Sequence, residues 1–259
     1  MVKLKKYNGF LKLFVIFLTL FFIFSCSQKN YNLTKIEGKQ LPITEKGSET
    51  PEIENFIKPY RDHINRDLDS ILAYSPETLD KSTGKWQTTI GNLMADVCLQ
   101  RGNLVFKARE KKDIDLCLLN HGGIRAILPK GNVTTRTAYE IMPFENSLIV
   151  VALSGNQILE IASYIIKEKK PQPLSGMTFT ISKDNTAKNI LIQGKPIDVN
   201  KTYYVVTNDY LANGGDNMNF FLKATQKFDL NYKIRNVLID YFKEVDTIPV
   251  KTDVRITVE

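Results

Sequence analysis

Residues 114–119 form a nearly continuous apolar run, interrupted only by Asp115, that stops abruptly at Asn120-His121-Gly122-Gly123. A strand with one wet face alternates apolar and polar residues, so a run of this kind reads as a buried strand. Further strand-like runs occur at 147–153, 177–181, 190–192, 203–207 and 255–258. Helical patterns lie between them, at 91–105, 156–167 and 231–245, and Gly155 and Gly194 mark turns. Strands and helices interleaved in this order, without an internal repeat, describe one α+β or α/β domain and leave its topology open.

The apolar positions Ile53, Phe56, Ile57, Tyr60, Ile64, Leu68, Ile71 and Leu72 recur at helical spacing after Thr50-Pro51. Thr before Pro is a helix start, so a helix of about six turns over residues 50–74, kinked at Pro59, is expected. His63 lies among its charged residues and reads as a surface residue.

The amino-terminal residues carry a different signal. Lysines and no acid precede an apolar stretch from Leu13 to Phe24, broken only by Thr19 and followed by Ser25-Cys26. A run of about a dozen residues is the length of a signal-peptide core and too short to span a bilayer. With its small residue before cysteine it resembles a bacterial lipobox. Residues 1–25 are therefore expected to be a lipoprotein signal peptide, Cys26 the lipidation site, and the polar, turn-rich residues 26–49 a tether. The expected location is the bacterial cell envelope, lipid-anchored and facing the periplasm or the surface. An uncleaved membrane anchor with a chance cysteine is the plainer alternative.

That assignment changes the charge argument. The formal charge of +7 includes Lys3, Lys5, Lys6 and Lys12, and without them it is +3. No Lys/Arg run with interleaved aromatics is present, so nucleic acid is not an expected partner. Two histidines, His63 and His121, are too few for a histidine-rich metal centre. Cys98 and Cys117 each lie in an apolar run and read as buried free thiols rather than a disulfide.

Three segments have more specific content. In Asn120-His121-Gly122-Gly123-Ile124-Arg125, paired glycines at a strand end let a ligand approach the backbone, and Arg125 offers a planar fork for phosphate or carboxylate. Gly-Gly also marks any tight turn. In Tyr210-Leu211-Ala212-Asn213-Gly214-Gly215-Asp216, an aromatic ring and a carboxylate flank a glycine turn. A carboxylate accepting two hydrogen bonds suits a vicinal sugar diol, although an Asn-Gly turn with a capping Asp has the same look. In Met142-Pro143-Phe144-Glu145-Asn146, Phe144 is either core or a stacking face, and two aromatics on separate loops can clamp a planar base.

Together with Gly91-Asn92-Leu93-Met94-Ala95-Asp96 and Leu153-Ser154-Gly155, these segments resemble, in order and approximate spacing, the C-terminal domain of the 5′-nucleotidase family, over about residues 85–221. The resemblance implies an α/β/β/α sandwich, single-domain over residues 50–259 including the preceding helix, that binds the nucleoside part of a substrate. It implies that Asn120 contacts the base, Phe144 and Tyr210 clamp it, Arg125 faces the phosphate side, and Asp216 holds the ribose hydroxyls. Gly122, Gly123 and Asn213 complete the expected substrate-binding set, and His121 has no assigned role. Tyr210 stands where many members carry Phe, which keeps a stacking face. Lys85 stands near where many carry arginine, and it lacks the bidentate fork.

Family enzymes cleave phosphate esters with two metal ions held by a calcineurin-like domain. Its Asp-x-His and Gly-Asn-His motifs do not occur in this sequence. The expectation is a substrate-binding half with no catalytic residue, metal ligand or cofactor of its own, acting in nucleotide catabolism. A separate calcineurin-like metallophosphatase chain would supply the divalent metals. The alternatives are a nucleoside- or nucleotide-binding lipoprotein without hydrolysis, or an adaptor whose site has decayed.

Overall fold

The computed structural model describes residues 7–23, 32–42, 44, 50–251 and 253–259. They fall into two units, Met1–Pro51 and Glu52–Glu259. In the first, Tyr7–Ile23 is helix α1, and residues 32–42 have no regular secondary structure. Among the described residues no helix is long and apolar enough to cross a membrane. Cys26 and much of the expected tether lie outside the described residues.

Helix α2 (Pro51–Leu68) opens with Pro51 as its first residue and carries Glu52 and Glu54 in its first turn, where carboxylates suit the helix dipole. It continues past Pro59 and ends at Leu68, not at residue 74 as the spacing predicts. Ile71–Ser75 is instead strand β1, paired antiparallel with β3 (Gly131–Thr134). The physical reason is a change of period: Ala73 and Ser75 are buried while Tyr74 is exposed, an alternation that only a strand can give. No residue of α2 is buried, so its apolar stripe faces no core.

Helix α3 (Thr89–Glu110) is capped by Thr88, whose Oγ1 accepts from Gly91 N at 3.1 Å, and ends on Lys111 in the left-handed region. The remaining elements are β2 (Leu116–Leu118), α4 (Thr135–Ile141), β4 (Ser147–Ser154), α5 (Gly155–Glu168), β5 (Leu174–Ser175), β6 (Met177–Ile181), β7 (Ala187–Ile192), β8 (Lys195–Pro196), β9 (Thr202–Asn208), α6 (Asp209–Ala212), β10 (Gln226–Lys233), α7 (Ile234–Glu244) and β11 (Ile256–Val258). Five strands form one sheet in the order β10-β4-β9-β2-β5, and four form a second in the order β11-β6-β7-β8. Pairing is mixed: β2 runs parallel to β9 and β11 to β6, while the other pairs in these two sheets are antiparallel.

Strand β4 shows why its sequence is apolar throughout. Leu148 and Val150 enter a core shared with α3 and α7. Ile149, Val151 and Leu153, one step out of phase, enter a second core with α5 and the inner residues of β6 and β7. The five-stranded sheet is thus covered by helices on one face and by α5 with the second sheet on the other. The fold is a mixed α+β sandwich of the expected kind.

One boundary differs from the sequence pattern. Residues 231–233 belong to β10, and α7 begins at Ile234. Phe228, Leu230 and Tyr232 turn toward the first core while Lys227 and Asp229 turn out, so an edge strand's period of two runs directly into the helical one.

Cys98 and Cys117 are free and buried, as the sequence predicts. Burial pushes the Cys98 thiol up to about 12 and raises Cys117 well above the ordinary thiol value. Neither is a thiolate near neutrality.

Candidate functional site

Strand β2 leads into a 3₁₀ turn at His121–Gly123, closed by Gly123 N donating to Asn120 O at 3.1 Å. Buried Gln172 fixes the turn by accepting from His121 N at 2.8 Å. A Cβ on Gly123 would stand 2.9 Å from Asn120 Oδ1, so glycine there leaves room for the Asn120 amide. Asn120, itself buried, sends Nδ2 to Asp216 Oδ2 at 2.7 Å. Two segments 96 residues apart are joined by this bond.

Helix α6 follows β9 and is capped by Asn208, whose Oδ1 accepts from Leu211 N at 2.8 Å. That cap places Tyr210 in the first turn, and the chain then doubles back to Asp216, which adopts φ 52°. Aspartate is one of the few residues that tolerates this left-handed conformation. The Tyr210 ring lies on the backbone of Gly215, where a Cβ would meet ring carbons at 2.5 Å. Its hydroxyl reaches Asp216 Oδ1 at 2.9 Å.

The loop between α4 and β4 supplies the third segment. Met142 is buried, whereas Phe144 is 42% exposed. The loop is pinned from several sides: Arg235 pairs with Glu145, Ile234 N donates to Asn146 O at 3.0 Å, and Asn146 Nδ2 donates to Asp209 Oδ1 at 2.7 Å. Phe144 is therefore an exposed ring on a fixed loop.

Asn120, Gly122, Gly123, Phe144, Tyr210 and Asp216 line one open cavity of about 390 Å³. Asn146 and Asn208 complete the lining, and sequence reasoning gave neither a role. The signal for Asn208 was its position directly before a short helix, where Asn caps; Asn146 closes the quoted Met142 to Asn146 segment. Arg125 and Asn213 are not among the lining residues. Exposed Arg125 donates to Gly122 O at 3.3 Å and sits over the Phe144 ring at 5.9 Å, so it touches the cavity's wall from outside. Asn213 Nδ2 donates to Asp209 O at 2.9 Å, which ends α6 rather than facing a ligand.

The Gly91 to Asp96 segment lies elsewhere and ties the chain together. Asp96 Oδ1 is 2.8 Å from Arg255 Nη2 and accepts from Ser175 Oγ at 2.6 Å, and Oδ2 is 3.0 Å from Lys251 Nζ. Lys85 is likewise absent from the cavity; its ammonium stands over the neighbouring Trp86 ring at 5.4 Å. Gln87 stitches that segment to the carboxyl-terminal strand through Arg255 N at 2.7 Å. His121 is held below its ordinary pKa by partial burial and by Lys81 and Lys170. Among the described residues no group of three or more His, Cys, Asp or Glu is placed to hold a metal ion.

Two half-exposed rings offer flat faces, and a carboxylate with spare acceptor capacity stands beside one of them.

Residues 72–223, more than half of the chain, match the family model described as 5′-nucleotidase, C-terminal domain. The trifunctional nucleotide phosphoesterase protein YfkN of Bacillus subtilis is 26% identical over 223 residues, covering 79% of this chain and 15% of that protein. The apyrase of Tabanus yao is 23% identical over 251 residues, 89% of this chain and 45% of its own. Among solved structures, the 5′-nucleotidase precursor from Thermus thermophilus superposes with a TM-score of 0.67 at 24% identity, over 79% of this chain and 42% of that one. At that identity the likeness is one of fold. The chain spans less than half the length of each of these proteins.

Proposed function

Because the chain belongs to the 5′-nucleotidase C-terminal domain family, we propose that it is the nucleoside- or nucleotide-binding half of a split 5′-nucleotidase. Hydrolysis of the phosphate ester then falls to a separate calcineurin-like metallophosphatase chain. The observation that carries this reading is the convergence of three segments, far apart in sequence, on one cavity with two exposed rings and a carboxylate. A base stacks between Phe144 and Tyr210, Asn120 reads its edge, and the ribose hydroxyls donate to Asp216. Arg125, outside the cavity beside Phe144, is the cation on the phosphate side.

The residues described here do not fit a pair of catalytic metal ions, and two histidines in the whole sequence do not supply the usual ligands. This chain's contribution is to hold the nucleoside so that its phosphate is presented to the partner's metals, a gain in rate through positioning. The lipobox-like end at Cys26 supports placing the protein on a membrane surface of the bacterial envelope, facing the periplasm or the exterior.

The test is hydrolysis of nucleoside monophosphates with divalent metal present, by the purified chain alone and mixed with a metallophosphatase that lacks its own C-terminal domain. The chain alone is expected to release no phosphate, and the mixture to turn over faster than the phosphatase by itself. Robust turnover by the chain alone, in a preparation free of contaminating phosphatase, contradicts the split arrangement.

A further inference from the structure

Asp216 is exposed, in a turn that follows two glycines, yet its carboxylate is held at both oxygens. Asn120 Nδ2 donates to Oδ2 at 2.7 Å and Tyr210 OH donates to Oδ1 at 2.9 Å. The Tyr210 oxygen also accepts from Asp216 N at 3.2 Å, and Tyr164 OH donates to Asp216 O at 2.8 Å. A single phenol oxygen thus bridges the backbone and side chain of the same aspartate.

An ionised carboxylate has about four lone-pair sites. With one taken on each oxygen, one remains on each, which is the pattern that two adjacent hydroxyl donors fill. The same Tyr210 ring lies against Gly215 and lines the cavity, so an aromatic surface and the hold on the carboxylate belong to one side chain.

We propose that Tyr210 is a positioning residue for sugar selectivity: its hydroxyl fixes the Asp216 carboxylate for a cis-diol, coupling ribose recognition to the base clamp. This rests on the reading of the cavity as a nucleoside site. Removing the hydroxyl keeps the aromatic ring but leaves Asn120 as the one remaining side-chain donor that orients the carboxylate, so the cost falls on ligands that possess the diol.

The experiment is calorimetric titration of the full chain with adenosine and with 2′,3′-dideoxyadenosine, for the wild type, Tyr210→Phe, Asp216→Asn and the double variant. Tyr210→Phe is expected to weaken adenosine about fivefold or more, the scale of a lost charge-assisted hydrogen bond, while dideoxyadenosine changes by less than about twofold. In the Asp216→Asn background, Tyr210→Phe is expected to change the ratio of the two affinities less than it does in the wild type, because the amide oxygen still accepts from the hydroxyl but the charge and the second acceptor oxygen are gone. Thermal melts accompany the titrations; Tyr210 is 49% exposed, and its hydroxyl is not expected to carry the fold. An equal loss for both ligands, an unchanged ratio in Tyr210→Phe, or the same shift with and without Asp216 overturns the proposal. A wild-type chain that binds neither ligand overturns instead the nucleoside reading beneath it.

Discussion

Asp96→Ala is expected to lower the unfolding free energy by about 3 kcal/mol, the low end of the cost of breaking a buried ion pair. Its partner Arg255 is only 5% exposed and lies 2.8 Å away. Alanine leaves that guanidinium buried with Asp253 as its remaining carboxylate, 2.9 Å from Nε and half exposed, together with the carbonyls of Asn92 and Leu174. These remaining contacts are why the loss falls at the low end. The substitution also strips Ser175 Oγ and Lys251 of their acceptor. Because Ser175 lies on β5, which pairs with β2, the damage reaches the strand whose end carries Asn120. Urea denaturation of the wild type, Asp96→Ala and Asp96→Asn measures it, with Asp96→Asn intermediate because the amide keeps an acceptor but loses the charge. A change under about 1 kcal/mol for Asp96→Ala, the range of an exposed pair, refutes the assignment of this motif to stability.

Phe144→Ala is expected to weaken AMP binding by about 1–3 kcal/mol, the contribution of one stacking face, which is a loss of roughly 5- to 150-fold. Stability should change little, because the ring is half exposed and its loop is held by Arg235, Ile234 and Asp209 rather than by the ring itself. A buried phenylalanine would behave in the opposite way, losing about 3–5 kcal/mol of stability on truncation and affecting binding only through unfolding. Calorimetric titration alongside thermal melts separates the two. Unchanged affinity in a normally folded variant removes the aromatic clamp from the account.

The parts of the fold that were legible in the sequence are those where one periodicity holds over a whole element. β2, β4 and β9 are buried on both faces or nearly so, and their apolar runs leave little choice, while β6 alternates buried Met177, Phe179 and Ile181 with more exposed threonines in a plain period of two. Where periods change within a few residues, reading fails: α2 gives way to β1 at residue 69, and β10 passes into α7 at Lys233. In both places the apolar residues of the strand continue the count of the neighbouring helix. Short elements such as α4, α6, β5 and β8 are fixed by caps and partners distant in sequence, which periodicity does not register.

The site was legible for a different reason. Asn120, Phe144, Tyr210 and Asp216 were picked out by the resemblance of their segments, since taken alone Phe144 reads equally as core and the glycine segments as plain turns, and the fold brings the four to one cavity. Arg125 and Asn213 share those loops but turn to other partners, a difference that depends on side-chain direction and not on spacing. The most informative bond, Tyr210 to Asp216, is local in sequence yet exists only because the turn between them puts Asp216 in the left-handed region.

The central claim is that a nucleoside occupies the cavity between Phe144 and Tyr210. A crystal structure of the chain grown with AMP tests it most directly. The account predicts the base between the two rings, the ribose 2′ and 3′ hydroxyls within hydrogen-bonding distance of the Asp216 oxygens, and the phosphate on the Arg125 side. AMP bound elsewhere, or this cavity empty at millimolar AMP, contradicts it.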